Sequence, residues 1–280
     1  MKKKVFIALI LLIILMFMCI IFIPERQKRQ VDERKVLEIQ NIIKQEKYII
    51  HAAGFVKDSM EKDHMYTNSK EALINCYENG NRISEIDFSF SKDNKLICLH
   101  DWEQFYINGE VIDKKVDLNT FLNGKIQEEF TPIWLEDIVK FMKAHEDFYI
   151  VTDIKDNNVK ACKIIAEYCP ELMDRFIIQI YHEREYNKIV NLGFNNIIYT
   201  LYETNMFERD IKSLQSFAEK KKLVGFTFWY YWADDTEFLN AMKKTNVPIF
   251  VHTINEVEKR ESYFSKGIIA TYTALTSNKY

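Results

Sequence analysis

A handful of polar residues in this chain sit inside runs that are otherwise apolar. Glu85 and Asp87 lie amid Ile83, Ile86 and Phe88; Asp153 and Lys155 bracket Ile154; His51 ends Tyr48-Ile49-Ile50; and His100 follows Leu96-Ile97-Cys98-Leu99. At the period of two of a β-strand, Glu85 and Asp87 share one face, and so do Asp153 and Lys155. Three carboxylates from two strands make an all-oxygen site for a hard divalent cation, Mg²⁺ or Ca²⁺, rather than zinc. Two histidines beside such a site supply an acid and a base that titrate near neutrality. A lysine next to the cation can stabilise negative charge growing on a phosphoryl oxygen. Metal, acid, base and cation together suit cleavage of a phosphodiester.

Each residue also has a plainer role open to it. Paired acids can solubilise an edge strand, although the flanking Ile and Phe here argue for burial. His51 could be a hydrogen-bonded core histidine, and His252 is read as structural, hydrogen-bonded near the end of its strand. His64, His145 and His182 are read as surface residues. Asp101 serves to orient His100 or to cap the next loop. Gln179, on another strand, is read as a substrate-binding residue. Trp229 and Trp232, in the cluster Trp229-Tyr230-Tyr231-Trp232, either pack the core or line a pocket for a polyol or an acyl group.

To bring these residues together the chain needs a particular framework. Short β-rich runs at 48–51, 83–88, 148–153, 176–180, 196–201, 224–229, 248–252 and 268–271 alternate with helical patterns at 70–79, 134–144, 158–168, 183–191, 207–221, 236–244 and 256–264. Alternation of this kind implies parallel pairing through right-handed crossovers. Eight such strands in about 230 residues predict a closed (β/α)8 TIM barrel, whose chemistry gathers at the C-terminal ends of the strands. Residues 89–133 are too long for one crossover and read as a rim insertion that opens with an extra strand at 96–100. Residues 47–280 form one barrel domain, and 25–46 read as a solvated helical connector.

The N-terminal 24 residues have a different character. Lys2, Lys3 and Lys4 precede an unbroken apolar run from Val5 to Ile23, about 28 Å if helical and close to bilayer thickness. No small-residue exit follows, so the run reads as an uncleaved signal anchor and transmembrane helix. That makes the chain a single-pass protein of the cell membrane with its barrel extracytoplasmic. The whole chain of 280 residues is 48% hydrophobic and 14% aromatic with a net charge of −3, which excludes disorder and leaves no basic footprint for nucleic acid. Cys162 and Cys169 stand two helical turns apart, too far for a disulfide, and Cys76 and Cys98 read as buried fillers.

In order and spacing, these residues resemble the glycerophosphodiester phosphodiesterase family, from about His51 to Leu275. The family's His-Arg-Gly appears as His51-Ala52-Ala53-Gly54, its Glu-Asn-Thr helix start as Thr67-Asn68-Ser69, and its Glu-x-Asp as Glu85-Ile86-Asp87. Its Lys-Asp-Gly turn appears as Lys92-Asp93-Asn94, then His-Asp as His100-Asp101, Glu-x-Lys as Asp153-Ile154-Lys155, and Trp-Thr-x-Asn as His252-Thr253-Ile254-Asn255. The resemblance implies a divalent metal on Glu85, Asp87 and Asp153, with His51 and His100 as the acid–base pair. It also implies that the glycerol hydroxyl next to the phosphate attacks first, giving a cyclic phosphate that water then opens. The substrate would be a small or lipid-derived phosphodiester. The chain departs from the pattern at Ala52, where an arginine clamp is missing, at Asp153 for Glu, and at Thr271-Tyr272 for Thr-Asp. Two further readings stay open: a degenerate barrel that binds a phosphorylated glycerol or wall polymer without turnover, and a phospholipase-type enzyme of the same barrel group.

Overall fold

The computed structural model describes residues 29–274. The expected anchor at 1–24 lies outside them. Among the described residues, no helix is long and apolar enough to cross a membrane.

Eight strands form a closed parallel barrel: β1 (Tyr48–Ile50), β2 (Ile83–Phe90), β3 (Tyr149–Ile154), β4 (Phe176–Ile180), β5 (Ile197–Thr200), β6 (Gly225–Trp229), β7 (Ile249–His252) and β8 (Ala270–Thr273). Closure runs through β1, which pairs Tyr48 with Thr271 of β8 and Ile50 with Ser84 of β2. The strands are buried along almost their whole length, the state in which parallel strands become near-continuous apolar runs. In the β2–β3 register Asp87 lies beside Asp153. At the other end of the barrel the packing is tight. A Cβ on Gly225 would stand 2.2 Å from the Phe250 ring, so only glycine lets β6 and that ring approach so closely.

The crossover helices are α2 (Lys70–Glu78), α3 (Leu135–Ala144), α4 (Asn158–Tyr168), α5 (Glu183–Leu192), α6 (Ile211–Lys220), α7 (Thr236–Lys243) and α8 (Val257–Ser265). Side-chain caps open several of them: Ser69 accepts from Ala72 N–H, Asn157 from Lys160 N–H, and Asp235 from Glu237 N–H and Phe238 N–H. One helix starts later than its periodicity predicts. Asn205 Oδ1 takes the N–H groups of Phe207 and Glu208, and Asp210 caps the helix at Ile211. Met206 and Phe207 are left exposed in the β5–α6 loop.

The described part of the expected solvated connector, residues 29–46, departs from that expectation. Its helix, α1 (Glu33–Glu46), lays Val36, Ile39 and Ile43 against Ile49, Ile83, Val151, Ile177, Ile198, Val224 and Phe250. These are residues from the N-terminal ends of the strands, so α1 is the plug that closes that end of the barrel. Its charged residues cover the outer face, which is why its composition looked solvated. The insertion at 89–133 is present as expected. Leu96–Cys98 adds antiparallel to β2, and a small antiparallel sheet (Phe105–Ile107, Glu110–Val111, Lys125–Ile126) packs around Phe105 and Phe121. Cys76, Cys98, Cys162 and Cys169 are all buried and free.

Candidate active site at the barrel mouth

Just past β1 the backbone makes a tight turn. Ala52, Ala53 and Gly54 all adopt positive φ, at 49°, 65° and 91°. A Cβ on Gly54 would also come within 2.7 Å of the Ile50 side chain. Consecutive left-handed residues cost free energy unless the surroundings hold them. Here one holding contact is the Ala52 N–H, which donates to Glu85 Oε2 at 2.8 Å. The turn sets the His51 ring over the carboxylates: Nε2 is 3.7 Å from Glu85 Oε2, and Nδ1 pairs with Thr253 Oγ1 at 2.7 Å. Burial pushes the His51 pKa down, against the pull of Asp87 and Asp153.

Glu85, Asp87 and Asp153 come together as their strand positions predict. Each offers an oxygen within 4.8 Å of the others, and all three are buried. Oxygens that share a Ca²⁺ ion at ~2.4 Å can lie up to ~4.8 Å apart, so the triad fits a hard cation. Glu85 Oε1 is buried without a hydrogen-bond partner among the described residues, and a metal ligand needs such a free lone pair. Burial, then the charges of Asp87 and Asp153, drive the Glu85 pKa well above the usual carboxylate range. Lys155 answers part of that charge, with Nζ 2.9 Å from Asp87 Oδ1 and 2.8 Å from Asp153 Oδ2. Burial disfavours its ammonium, but the two aspartates outweigh burial and raise its pKa. For Asp153, burial is likewise outweighed by Lys155 and the Tyr181 hydroxyl, and its pKa falls.

Several residues complete the site through contacts that the motifs, which include Asn68 and Tyr272, do not specify. Asn68 clasps Asp87, donating Nδ2–H to Oδ2 at 2.7 Å and accepting the Asp87 N–H at 3.0 Å. Tyr181 donates its hydroxyl to Asp153 Oδ1, and Tyr202 donates to Oδ2 at 3.2 Å. Tyr181 lies two residues after Gln179, and Tyr202 two after Thr200, so period-two spacing was a usable signal for both. Tyr272, at the position where the expected Asp is absent, donates to Gln179 Oε1 at 3.2 Å, as does Thr200 at 2.7 Å. Gln179 therefore holds Tyr272 in place as well as lining the cavity.

The mouth opens into a cavity of about 1200 Å³ that reaches His51, Glu85, Asp153, Lys155, His100, Gln179 and Trp229. His100 is on the rim and exposed, with Nδ1 paired to Asp101 Oδ2. The Leu99 N–H, which donates to Asp87 C=O at 3.0 Å, fixes its approach. Trp232 is a correction: it is not among the cavity-lining residues. Its ring stacks on Phe228 and meets Phe238 edge-on, because the short helix Tyr230–Asp234 turns it inward. His182, read as a surface residue, also lines the cavity, with Nδ1 2.9 Å from Glu208 Oε2. His252 is hydrogen-bonded, as expected, with Nδ1 3.1 Å from Thr227 Oγ1, and it is walled by Trp229 and Tyr202.

No protein-family model matches the chain, and no curated protein matches it. Solved structures do. A glycerophosphoryl diester phosphodiesterase from Parabacteroides distasonis superposes with a TM-score of 0.60 at 14% identity, over 89% of this chain and 90% of that one. A glycerophosphodiester phosphodiesterase from Thermotoga maritima gives 0.54 at 19%, over 81% and 94%. A phosphodiesterase from Oleispira antarctica, solved with the product sn-glycerol-3-phosphate, gives 0.58 at 12%, over 82% and 93%. At such identities the likeness establishes the shared barrel fold.

Proposed function

We propose that this protein is a metal-dependent phosphodiester hydrolase that releases an alcohol from a glycerophosphodiester. The observation that carries the reading is the buried Glu85–Asp87–Asp153 triad, with a free Glu85 oxygen, whose Glu85 and Asp153 line one cavity with His51 and Lys155. The phosphodiesterases that share the barrel support it.

Glu85, Asp87 and Asp153 would hold Mg²⁺ or Ca²⁺, which when bound supplies positive charge for the phosphoryl oxygens. His51 keeps Nε2 toward the cavity because Thr253 occupies Nδ1, and it takes the proton from the glycerol hydroxyl that attacks phosphorus. His100, on the rim, gives a proton to the leaving alcohol. In the second half the roles reverse as water opens the cyclic phosphate. Lys155 faces the charge that develops on the phosphate, while Gln179 and Trp229 border the substrate. With residues 1–24 as a membrane anchor, the barrel works outside the cytoplasmic membrane, on small or lipid-derived diesters.

The test is metal-supplemented turnover of a panel of glycerophosphodiesters by the full-length chain. His51→Ala and His100→Ala should each cost roughly 10²–10⁴ in turnover. On a nitrophenyl ester, whose leaving group needs no proton, His100→Ala should recover while His51→Ala should not. Equal losses on both substrates would remove the assignment of roles.

One observation favours a second reading. Lys155 Nζ already bridges Asp87 and Asp153, the arrangement of a barrel in which an internal ammonium replaces the metal and the site binds without turnover. A folded chain that releases no alcohol from any diester, with or without metal, would select it.

A further inference from the structure

The cavity does not end at the carboxylates. Along its α4–α5 side it is lined by Lys160 and Lys163, three apart on α4, and by Arg184 and Lys188, four apart on α5. Residues so spaced lie on one face of a helix, where like charges repel. Lys160 and Arg184 also sit in the first turn of their helices, the end at which the helix dipole disfavours cations. Asp101, Asp156, Glu185 and Glu203 line the same cavity, but none forms an ion pair with these four cations among the described residues. Lys163 reaches Glu167 only at 3.6 Å, and Lys160 Nζ bonds the neutral Asn94 at 2.6 Å. Arg184 and Lys188 make no ion pair among the described residues. Two acids on this side are already engaged: Glu185 accepts from Asn158 Nδ2 and Tyr181 N–H, and Asp156 accepts from Phe90 N–H and Lys115. Beyond Asp156, Asn157 and Lys160 the space continues into a second cavity of about 450 Å³, bordered by Lys92.

We propose that this basic wall is a subsite for further phosphate groups of an extended substrate, so that the scissile diester is one link of a soluble polyol-phosphate oligomer. Each element of the wall disfavours the ligand-free protein slightly and favours an anion, and an oligomer would present its charges in a line from the mouth along α4 and α5. The inference rests on the phosphodiesterase reading, because it places the scissile link at the carboxylate triad.

The experiment measures binding of a fluorescently labelled glycerol-phosphate tetramer to the full-length chain, with turnover of glycerophosphoglycerol followed separately. Arg184→Glu/Lys188→Glu should weaken tetramer binding by about tenfold or more and flatten its salt dependence. Lys44→Glu/Lys243→Glu reverses the same charge in the last turns of α1 and α7, away from the mouth, and should leave binding within about twofold, because screening damps distant charges. Equal weakening by both double variants, or by neither, overturns the subsite. No binding of the wild type to the tetramer would overturn it, and phosphatidylglycerol-vesicle binding weakened by Arg184→Glu/Lys188→Glu beyond what the anchor supplies would then assign the wall to a membrane surface. Turnover reports on the other question. A chain that binds the tetramer through Arg184 and Lys188 yet cleaves no diester would sink the hydrolase reading and leave the anion site standing.

Discussion

The two ends of the barrel are built from the same strands and are chemically opposite. At the N-terminal end, Ile83 of β2, Val151 of β3 and Ile177 of β4 meet the apolar face of α1 in an apolar plug. A few residues further along those strands stand Glu85, Asp87, Asp153 and Gln179, buried just as deeply but polar. The plug gains from every side chain it removes from water. The mouth places three carboxylates together at a cost met only in part by Lys155, Asn68 and the two tyrosines. The barrel thus keeps stability at one end and reactivity at the other, as expected where a site needs groups that the fold alone would reject.

The largest expected effect breaks the reactive end. Glu85→Gln should abolish the metal-dependent rise in thermal stability and lower turnover by roughly 10³-fold or more, since a ligated metal contributes several kcal/mol to phosphoryl charge stabilisation. The same change should make the metal-free protein more stable at alkaline pH. The folded-state pKa of Glu85 is raised above its unfolded value, so as pH rises the unfolded chain gives up a proton the fold retains, and stability is lost. Glutamine removes that loss, a gain of about 1–2 kcal/mol by urea unfolding. An unchanged metal response would show that the triad is not the metal site.

Next comes the plug. Ile43 is fully buried in it, and Ile43→Ala should cost about 2–5 kcal/mol of unfolding free energy. KM for any diester should stay unchanged, because the lesion lies at the far end from the cavity. A shifted KM with little loss of stability would show that the two ends are coupled.

The smallest effect concerns His252, near the mouth but held neutral. Burial lowers its pKa to about 3. Between an unfolded pKa near ~6.5 and the folded value, the unfolded chain takes up a proton that the fold refuses, so stability falls as pH drops through that window. The stability difference between wild type and His252→Gln should therefore shrink on acidification, by at most about 3 kcal/mol between pH 7 and pH 4. A constant difference would mean that His252 is protonated in the fold.

Local pattern was enough to specify the barrel and the identity of most of its polar residues. The eight strands and the rim insertion follow from the order and length of apolar runs and helical patterns, and the shared faces of Glu85 with Asp87 and of Asp153 with Lys155 follow from period two, all properties of neighbours along the chain. Outcomes that depend on which surfaces meet were beyond it. Composition could not say that α1 would be a plug, because a helix with one apolar face reads alike whether that face finds a barrel end or not. Nor could it send Trp232 into the core and Trp229 to the cavity, since a short helix at the end of β6 separates them. The clasp of Asn68 on Asp87 and the two tyrosines on Asp153 join residues 19 to 49 positions apart. Such contacts arise only when the strands pair in parallel, because pairing brings the loops at their C-terminal ends to one side of the sheet.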